Sequence, residues 1–417
     1  MASAFPEPFR VIAKPAGAAC NLACEYCFYL PKKKLYPGAR SRMPEAVLDA
    51  YLRQVICPQQ GRTVSILWQG GEPTLMGLDF FRRAVELAER YRRPGQRIEH
   101  ALQTNGTLLT EEWCRFLRSR DFLVGLSVDG PRDLHDAFRR DKRGNGTFDR
   151  VMRGVKHLRN ADVRFNVLCA VNVANVEHPV EVYRFFRDRC GADFIQFIPI
   201  VASPSGMPCA AGGHVGHVGQ ISAEQWGRFL ISVFDEWLCR DVGTVFVQTF
   251  EAALASWMAA GAPMCVFAES CGRAVALEHN GDVYSCDHFV DPDHLLGNLV
   301  DGNLAEMVSS DQQACFGEAK RTGLPRHCLR CDVRFACNGE CPKNRFARAP
   351  DGEAGLNYLC QGYKAFFHHI DGPMRLMANL IRGGRPASQI MSVLASARRN
   401  EPCPCGSGRK SKFCHAS

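Results

Sequence analysis

Three cysteines near the start of the chain, Cys20, Cys24 and Cys27, follow the pattern C-x3-C-x2-C in the segment CNLACEYCFYL. Thiolates are soft ligands that suit iron–sulfur clusters, and such clusters usually take four of them. Three thiolates in one short loop therefore predict a four-iron cluster in which one iron has no protein ligand. The alternative is a stripe of buried cysteines on one face of a helix.

Polar segments follow several strand-like runs downstream of these cysteines. The segment Gly-Gly-Glu-Pro at 70–73 comes directly after VSILWQ, and QTNG at 103–106 and SVDGP at 127–131 also follow apolar runs. Gly and Pro alone would only mark a turn. Because ligands of α/β barrels bind at the carboxyl ends of the strands, these segments place polar groups where a ligand would lie.

A second group of cysteines, nine in number, lies between residues 265 and 360 and is separated by short loops. Cys271 and Cys286 are followed by C-x2-C-x5-C-x3-C at 328–341 and by the cysteine at 360. With the cysteine at 265, this arrangement supplies eight thiols, enough for two four-iron clusters with four ligands each. Zinc is the structural alternative, since a C-x2-C pair is equally typical of a zinc site.

With these motifs the chain resembles the radical S-adenosylmethionine (SAM) superfamily. The resemblance implies that the open iron binds the amino and carboxylate groups of SAM, and that the Gly-Gly-Glu-Pro segment hydrogen-bonds the methionine amino group. Ser127 and Arg139 would contact the ribose or the carboxylate, which an arginine can bind through two parallel hydrogen bonds. The cofactor-binding residues implied by the resemblance are Tyr26, Gly70, Gly71, Glu72, Gln103, Asn105, Ser127, Arg139 and Ile200.

The downstream cysteines match the seven-cysteine pattern of the SPASM extension, which occurs in radical enzymes that modify peptides and proteins. Within that group the chain is most similar to anaerobic sulfatase-maturating enzymes. The resemblance implies three 4Fe–4S clusters, one in the barrel and two auxiliary ones. It divides the auxiliary ligands into two interleaved sets, with Cys265, Cys271, Cys286 and Cys341 in the first and Cys328, Cys331, Cys337 and Cys360 in the second.

Asp287 directly follows Cys286 in the segment NGDVYSCDHF. Taken alone, an aspartate in such a segment is a turn residue. In sulfatase-maturating enzymes an aspartate at this position is the general base that takes the proton from the substrate thiol or hydroxyl, so the resemblance implies the same role here. We expect burial beside a cluster-bound cysteine to raise the proton affinity of this carboxylate.

The implied reaction is the oxidation of a cysteine or serine in a sulfatase to Cα-formylglycine. A 5′-deoxyadenosyl radical made from SAM takes a hydrogen atom from the substrate Cβ, Asp287 takes the proton, and an auxiliary cluster takes the remaining electron. Two alternatives stay open. One is another SPASM peptide maturase, for example one that forms thioether crosslinks, which has no need of Asp287. The other is a multi-cluster electron carrier, which has no need of a SAM pocket.

The last nineteen residues contain Cys403, Cys405, Cys414 and His415 in the pattern C-x-C-x8-C-H. Four such ligands around a Gly-Ser-Gly turn suit a tetrahedral Zn²⁺ site, and so short a segment needs a metal to fold. The segment resembles the SEC-C motif, a zinc module associated with partner binding. It therefore suggests an adaptor that contacts a chaperone, the ribosome or an export factor.

Strand-like and helical segments must position these groups. Apolar runs alternate with stretches of helical spacing, which predicts an α/β fold with a parallel sheet. The predicted strands are 64–71, 98–106, 122–130, 163–171 and 194–201, and the predicted helices are 78–92, 110–120 and 148–160. We expect a partial parallel (β/α)6 barrel with its active site at the carboxyl ends of the strands.

The expected domains are a radical SAM core barrel at 1–238, a SPASM domain with two auxiliary clusters at 239–382, a linker at 383–398 and the SEC-C zinc motif at 399–417. A long Gly- and Pro-rich loop is expected at 202–220. The cysteine-rich region is expected to depend on metal rather than on a large core.

The composition is that of a globular protein, with 46% hydrophobic and 23% charged residues and a formal charge of +8 spread along the chain. No basic start precedes an apolar run, and no segment approaches the roughly eighteen apolar residues of a membrane span, so we expect a cytoplasmic protein without membrane contact. In a reducing cytoplasm, 21 cysteines indicate metal ligands rather than disulfides. The expected partners are an unfolded or nascent sulfatase polypeptide and an electron donor of the flavodoxin or ferredoxin type.

Overall fold

The computed structural model describes residues 9–38, 41–202, 218–405 and 408–413. Cys414 and His415, two of the four expected ligands of the C-terminal motif, lie outside the described residues, as does most of the loop expected at 202–220. No helix in the described ranges is long and apolar enough to cross a membrane.

One open sheet of ten strands dominates the described part of the chain. Its strands are β1 (Arg10–Ala13), β2 (Thr63–Trp68), β3 (Arg97–Thr104), β4 (Leu123–Ser127), β5 (Phe165–Val171), β6 (Phe194–Pro199), β7 (Phe246–Val247), β8 (Ala274–Leu277), β9 (Asp282–Tyr284) and β10 (Leu295–Asn298). Their order in space is β10-β9-β8-β1-β2-β3-β4-β5-β6-β7. The pairs from β8 through β1 to β7 are parallel, while β9 and β10 are antiparallel additions. The expected α/β fold with a parallel, unclosed barrel is confirmed.

Helices connect the strands and cover the sheet. They are α1 (Glu45–Ile56), α2 (Leu78–Tyr91), α3 (Glu111–Ser119), α4 (Arg132–Asp136), α5 (Phe148–Asn160), α6 (Pro179–Arg184), α7 (Ala223–Arg240), α8 (Gln248–Trp257), α9 (Leu304–Val308), α10 (Asp311–Thr322), α11 (Arg326–Leu329), α12 (Arg334–Cys337), α13 (Cys360–Arg382) and α14 (Gln389–Ala395). A small separate sheet pairs β11 (Ala347–Arg348) with β12 (Ala354–Leu356).

Local sequence explains where the main elements begin and which side they bury. Along β2 the side chains of Val64, Ile66 and Trp68 are buried while the alternate positions are more exposed, as expected for a strand with period two. At the start of α7, Ser222 and Gln225 form a capping box, in which each side chain binds the backbone N–H of the other. The strands and helices predicted from the apolar pattern therefore form close to their predicted limits.

The sheet and the core continue across the boundary expected at residue 238. β8, which lies beyond that boundary, pairs with β1 along its whole length. The helices α7 and α13 pack so closely that a Cβ at Gly362 would lie 2.0 Å from the Ala223 carbonyl oxygen. The segment expected as a linker, 383–398, contains α14, whose Ile390 and Leu394 are buried. This segment is therefore packed against the protein rather than extended.

Candidate functional site

The loop after β1 carries the first three cysteines, all of them partly buried. The Leu22 N–H lies 3.3 Å from the Cys20 Sγ, and the Cys27 N–H donates to the Cys24 carbonyl at 3.0 Å. Burial, with a smaller contribution from neighbouring thiols, raises the pKa of Cys20 to about 11 and that of Cys24 to about 12. Iron binding here must therefore displace protons from the thiols of Cys20 and Cys24, which the fold already holds close together.

The Gly-Gly-Glu-Pro segment follows β2 and lies directly against this cysteine loop. The Gly71 N–H donates to the Gly17 carbonyl and the Glu72 N–H to the Ala19 carbonyl, both at 2.8 Å. A Cβ at Gly71 would lie 2.0 Å from the Ala19 carbonyl oxygen, and Gly70 has a φ of +122°. The two glycines are thus required by the close approach of the two loops and by the backbone conformation.

The Glu72 carboxylate is fully buried and joins the ends of β2 and β3. It accepts hydrogen bonds from the Thr74 N–H and hydroxyl, the Thr104 hydroxyl at 2.7 Å and the Asn105 N–H at 2.8 Å. Burial raises its pKa, although these hydrogen bonds oppose the shift. The carboxylate oxygens are therefore committed to protein donors, and the side chain fixes the position of the Asn105 loop.

The remaining polar residues at the strand ends also contact one another. The Asn105 Nδ2 donates to the Asn21 side-chain Oδ1 at 2.8 Å and lies 3.7 Å from the Cys20 Sγ. The Gln103 Nε2 donates to the Ser127 Oγ at 3.0 Å. Ile200, half-buried, follows β6 and its N–H donates to the Val171 carbonyl. The structure thus places Gln103, Asn105, Ser127 and Ile200 at or directly after the carboxyl ends of strands, and Asn105 contacts the cysteine loop.

Arg139 is held by an ion pair within the protein. Its Nε lies 2.9 Å from an Asp129 carboxylate oxygen, which also accepts a hydrogen bond from the Tyr26 hydroxyl. The guanidinium lies 5.6 Å from the centre of the Tyr26 ring. Both charged side chains are buried. Arg139 therefore anchors Tyr26 beside the cysteine loop through Asp129, an arrangement that the expected contact with a cofactor carboxylate did not anticipate.

Asp287 lies at the junction of the barrel and the cysteine-rich region. Its carboxylate forms a buried ion pair with Lys14, which follows β1 directly and also donates to the Gln69 side chain at 2.9 Å. The Lys32 ammonium donates to the Asp287 carbonyl at 2.7 Å. These contacts place the carboxylate beside the loop that carries Cys20, Cys24 and Cys27.

The expectation that burial raises the proton affinity of Asp287 is wrong. Burial alone would raise the pKa, but the Lys14 ammonium, the neighbouring His288 and Lys32 outweigh burial and lower the pKa to about 2. The carboxylate is therefore ionised throughout the neutral range. The local sequence around residue 287 gives no sign of this partner, because Lys14 is brought in by the pairing of β1 with β8.

The cysteines at 265, 271, 286 and 341 form one group in space. Burial raises the pKa of Cys286 to about 12, and the nearby thiols of Cys265 and Cys271 raise it further. Cys341 is in turn within electrostatic range of Cys286. The ammonium of buried Lys320 donates to the Cys265 carbonyl at 2.7 Å. These contacts join the four members of the first expected auxiliary set.

The cysteines of the second expected set line one pocket. The pocket is bounded by Cys328, Cys331, Cys337 and Cys360, with His327, Val333, Arg334, Gly339, Asn357 and Lys364 completing its wall. Burial raises the pKa of Cys337 to about 12 and that of Cys360 to about 11. A soft-ligand pocket with four thiols suits a four-iron cluster.

A single metal ion requires ligands that converge on one point. In the described ranges no group of three or more His, Cys, Asp or Glu side chains is arranged to bind a single metal ion. In a four-iron cluster each thiolate can bind a different iron, so its ligands need not converge on one point. The thiol chemistry and grouping of all three sets therefore fit clusters.

In the C-terminal segment, Cys403 and Cys405 are buried. The Cys403 N–H donates to the Arg409 carbonyl at 2.7 Å, and an isolated bridge pairs Pro402 with Lys410. Residues 402–403 thus pair with residues 409–410, while the other two expected ligands lie outside the described residues.

Sequence reasoning missed two cations of the site, Lys14 and Arg345. Lys14 had a detectable signal, since it is a charged residue at the end of the apolar strand FRVIA and directly precedes the cysteine loop. Arg345 had none, because its contacts run to the turn 338–340 and to Lys320.

Comparisons with known proteins support the site at the level of families. Residues 15–186 match the radical SAM superfamily, residues 265–332 match an iron–sulfur cluster-binding domain (SPASM), and residues 399–417 match the SEC-C motif. The chain is thus similar to a known family in each of the three regions that carry its cysteine motifs.

Full-length relatives are also found. The chain is 44% identical over 399 residues to the serine-type anaerobic sulfatase-maturating enzyme of Bacteroides thetaiotaomicron, covering 94% of this chain and 96% of that protein. It is 31% identical to the cysteine-type enzyme of Clostridium perfringens, covering 90% and 100%. A solved structure of native anSMEcpe with bound AdoMet and Kp18Cys peptide aligns with a TM-score of 0.80 at 31% identity, over 89% of this chain and 99% of that one.

Proposed function

Because this chain belongs to the anaerobic sulfatase-maturating enzymes of the radical SAM superfamily, we propose that it oxidises a serine or cysteine of a sulfatase to Cα-formylglycine. The observation that carries the proposal is the Asp287–Lys14 ion pair, which sets a carboxylate from the SPASM region beside the cysteine loop of the barrel. A radical enzyme that also removes a proton from its substrate needs both groups at one site.

The enzyme uses SAM and iron–sulfur clusters, and we propose three 4Fe–4S clusters on the three thiol sets. Cys20, Cys24 and Cys27 would hold the first. The first auxiliary set would be Cys265, Cys271, Cys286 and Cys341, and the second Cys328, Cys331, Cys337 and Cys360. When bound, the first cluster and SAM supply the radical that takes a hydrogen atom from the substrate Cβ. The grouping of thiols supports these sets, and the contacts among the strand-end residues support a SAM site formed by the expected residues.

The protein itself positions the proton acceptor. Lys14 and Lys32 hold Asp287 from two directions, through its carboxylate and through its carbonyl. Because Lys14 keeps the carboxylate ionised, Asp287 is ready to accept the hydroxyl or thiol proton of a bound substrate. The strand-end loops and the SPASM region exclude water from this junction, since Asp287, Lys14 and Glu72 are all buried.

The substrate is proposed to be an unfolded or nascent sulfatase segment. A solved relative with a bound peptide supports this class of substrate. A serine target is supported by identity to the serine-type relative (44%), which exceeds identity to the cysteine-type relative (31%). A flavodoxin- or ferredoxin-type donor would supply the electron for SAM cleavage.

The division of the chain into four units is also part of the proposal. We propose the core barrel at 1–238, the SPASM domain at 239–382, the connecting segment at 383–398 and the SEC-C motif at 399–417 as the units of the chain. Zn²⁺ bound by Cys403, Cys405, Cys414 and His415 would fold the last unit, which would serve to contact a partner such as a chaperone, the ribosome or an export factor. The match to the SEC-C motif supports this assignment.

The function is tested by anaerobic incubation of the reconstituted, reduced protein with sulfatase-derived peptides that contain either serine or cysteine at the target position. Formylglycine formation changes the mass by about −2 for serine and about −18 for cysteine, which is arithmetic of the chemistry rather than of the protein. Because a thioether crosslink also removes about 2 mass units, the product is treated with a hydrazine reagent that captures only aldehydes. Release of 5′-deoxyadenosine without an aldehyde would reject the proposal in favour of another maturase.

A further inference from the structure

The turn that joins Cys337 to Cys341 has a strained backbone. Asn338, Gly339 and Glu340 have φ angles of +46°, +70° and +51°, so three consecutive residues are left-handed. A non-glycine residue in this region is unfavourable and persists only where its surroundings impose the conformation. The turn also connects a proposed ligand of the second auxiliary set to one of the first. Its conformation therefore decides how the two sets are separated.

The guanidinium of Arg345 fills the inside of this turn. Its Nε donates to the Gly339 carbonyl at 2.9 Å, and its Nη2 donates to the Asn338 and Glu340 carbonyls at 2.9 and 3.1 Å. Its Nη1 donates to the Lys320 carbonyl at 2.5 Å. All four acceptors are neutral carbonyl oxygens, so these bonds hold the cation without cancelling its charge. They account for the otherwise costly backbone of the turn.

The charge of Arg345 lies between the two auxiliary sets. It is within electrostatic range of Cys328 from the second set and of Cys271 and Cys341 from the first. The neighbouring Glu340 carboxyl is buried and accepts hydrogen bonds from the Asn344 and Asn357 side chains. A 4Fe–4S cluster with four thiolates is negatively charged, and nearby positive charge stabilises its reduced form.

We propose that Arg345 is a positioning residue for the auxiliary centres: it fixes the turn that directs Cys337 and Cys341 to different clusters, and its charge makes both clusters easier to reduce. The inference rests on the proposed function and on its ligand sets. It also extends the proposed function. Oxidation of the substrate side chain releases an electron, and the reduction potential of the auxiliary clusters decides whether they can accept it.

The test compares three full-length variants, each reconstituted anaerobically: R345Q removes the charge, R345K keeps it, and R348Q is the matched control. Arg348 lies on the same segment, is exposed, and donates only to the Gly352 carbonyl among its hydrogen bonds in the described residues. Iron content is measured chemically, and the auxiliary potentials are measured by redox titration followed by electron paramagnetic resonance. These readouts do not depend on turnover.

We expect R345Q to shift the equilibrium between reduced and oxidised auxiliary clusters at least tenfold toward the oxidised form, which is about 59 mV for a one-electron couple. R345K keeps potentials near wild type but binds less auxiliary iron, because an ammonium cannot satisfy four carbonyls in the same planar geometry. R348Q matches wild type in both measurements.

Two results would overturn the inference: R345Q with wild-type potentials, or R345K with a shift as large as that of R345Q, since the second would show a structural role without an electrostatic one. If R345Q binds no auxiliary iron, the potentials of R345K are used instead. Potentials near wild type support the inference, and a shift of tenfold or more toward the oxidised form overturns it. A wild-type protein with only one cluster would instead reject the proposed ligand sets, whatever the variants show.

Discussion

The first three cysteines lie in the loop that follows β1 of the large sheet, whereas the auxiliary cysteines lie outside its strands, on turns, on short helices and at the start of α13. In the barrel, the loop of Cys20, Cys24 and Cys27 is held by backbone hydrogen bonds from the Gly71 segment to residues 17 and 19. In the SPASM region, the side chains of buried Lys320 and half-buried Arg345 donate to backbone carbonyls of neighbouring segments instead.

The difference shows how each site can form. A loop supported by a parallel sheet can keep its shape before iron arrives, because its backbone groups are already paired. Turns held by a few side-chain cations depend more on the metal, which must complete the fold as it binds. We therefore expect the barrel site to be formed in advance and the auxiliary sites to be coupled to folding.

The largest predicted effect separates the two regions through their ligands. C24S should abolish both 5′-deoxyadenosine release and formylglycine formation, because the first cluster loses one of only three protein ligands. C331S should retain 5′-deoxyadenosine release but lose formylglycine, with total iron falling from about 12 to about 8 per chain if one four-iron cluster is lost. Both products are measured by liquid chromatography and mass spectrometry.

The control for both is C57S, since Cys57 is exposed at the end of α1 and belongs to no proposed ligand set. It should match wild type. If C331S stopped 5′-deoxyadenosine release as completely as C24S, the two regions would form one cooperative site, and the comparison would fail.

The next effect tests the contact that joins the regions. K14M leaves the Asp287 charge buried without its partner, and breaking a buried ion pair typically costs about 3–5 kcal/mol of unfolding free energy. D287N leaves Lys14 unpaired and should lose formylglycine while still releasing 5′-deoxyadenosine. The double variant K14M/D287N should regain much of the lost stability but none of the formylglycine activity. Urea denaturation of the anaerobic holoenzyme and peptide mass spectrometry measure the two properties.

Strict additivity of the two stability losses in the double variant would contradict the proposed coupling, because residues in contact give non-additive effects. K14R serves as the matched control, since it keeps the positive charge at the end of β1.

The sequence predicted the two regions unequally, for a physical reason. Motifs that are local in the chain, such as C-x3-C-x2-C and the Gly-Gly-Glu-Pro segment, and periodic elements such as α2 and α5, were found at their predicted places. The partners of Asp287 and of the 338–340 turn were not. Lys14 reaches Asp287 only through tertiary packing, and Arg345 binds carbonyls of the turn whose directions depend on its backbone conformation rather than on its residue types. The predicted direction of the Asp287 pKa failed for the same reason: burial was foreseen and its cation was not.

A smaller effect tests whether the barrel loop is formed in advance. G71A places a Cβ against the Ala19 carbonyl, and the overpacking should cost about 1–3 kcal/mol and shift the cysteine loop. We expect weaker SAM binding in the reconstituted protein, measured by equilibrium dialysis, with auxiliary iron unchanged. G61A is the control, since a Cβ at Gly61 would meet its nearest heavy atom at 3.4 Å. A loss of auxiliary iron in G71A would show that the two regions fold together.

The smallest predicted effect concerns the C-terminal motif, which should behave as a third and independent metal region. The double variant C403S/C405S should lose its zinc, because it removes two of the four proposed ligands, yet its kcat/KM on a sulfatase peptide should stay within about twofold of wild type, as for distant and independent sites. Zinc is measured by mass spectrometry of the metal, and C239S, which replaces an exposed cysteine outside every proposed set, is the control. A loss of peptide activity with full iron content would place the motif in the catalytic unit. Unchanged activity would support a role in partner binding. A folded module that is not needed for catalysis on a free peptide can still be needed to deliver the whole substrate protein.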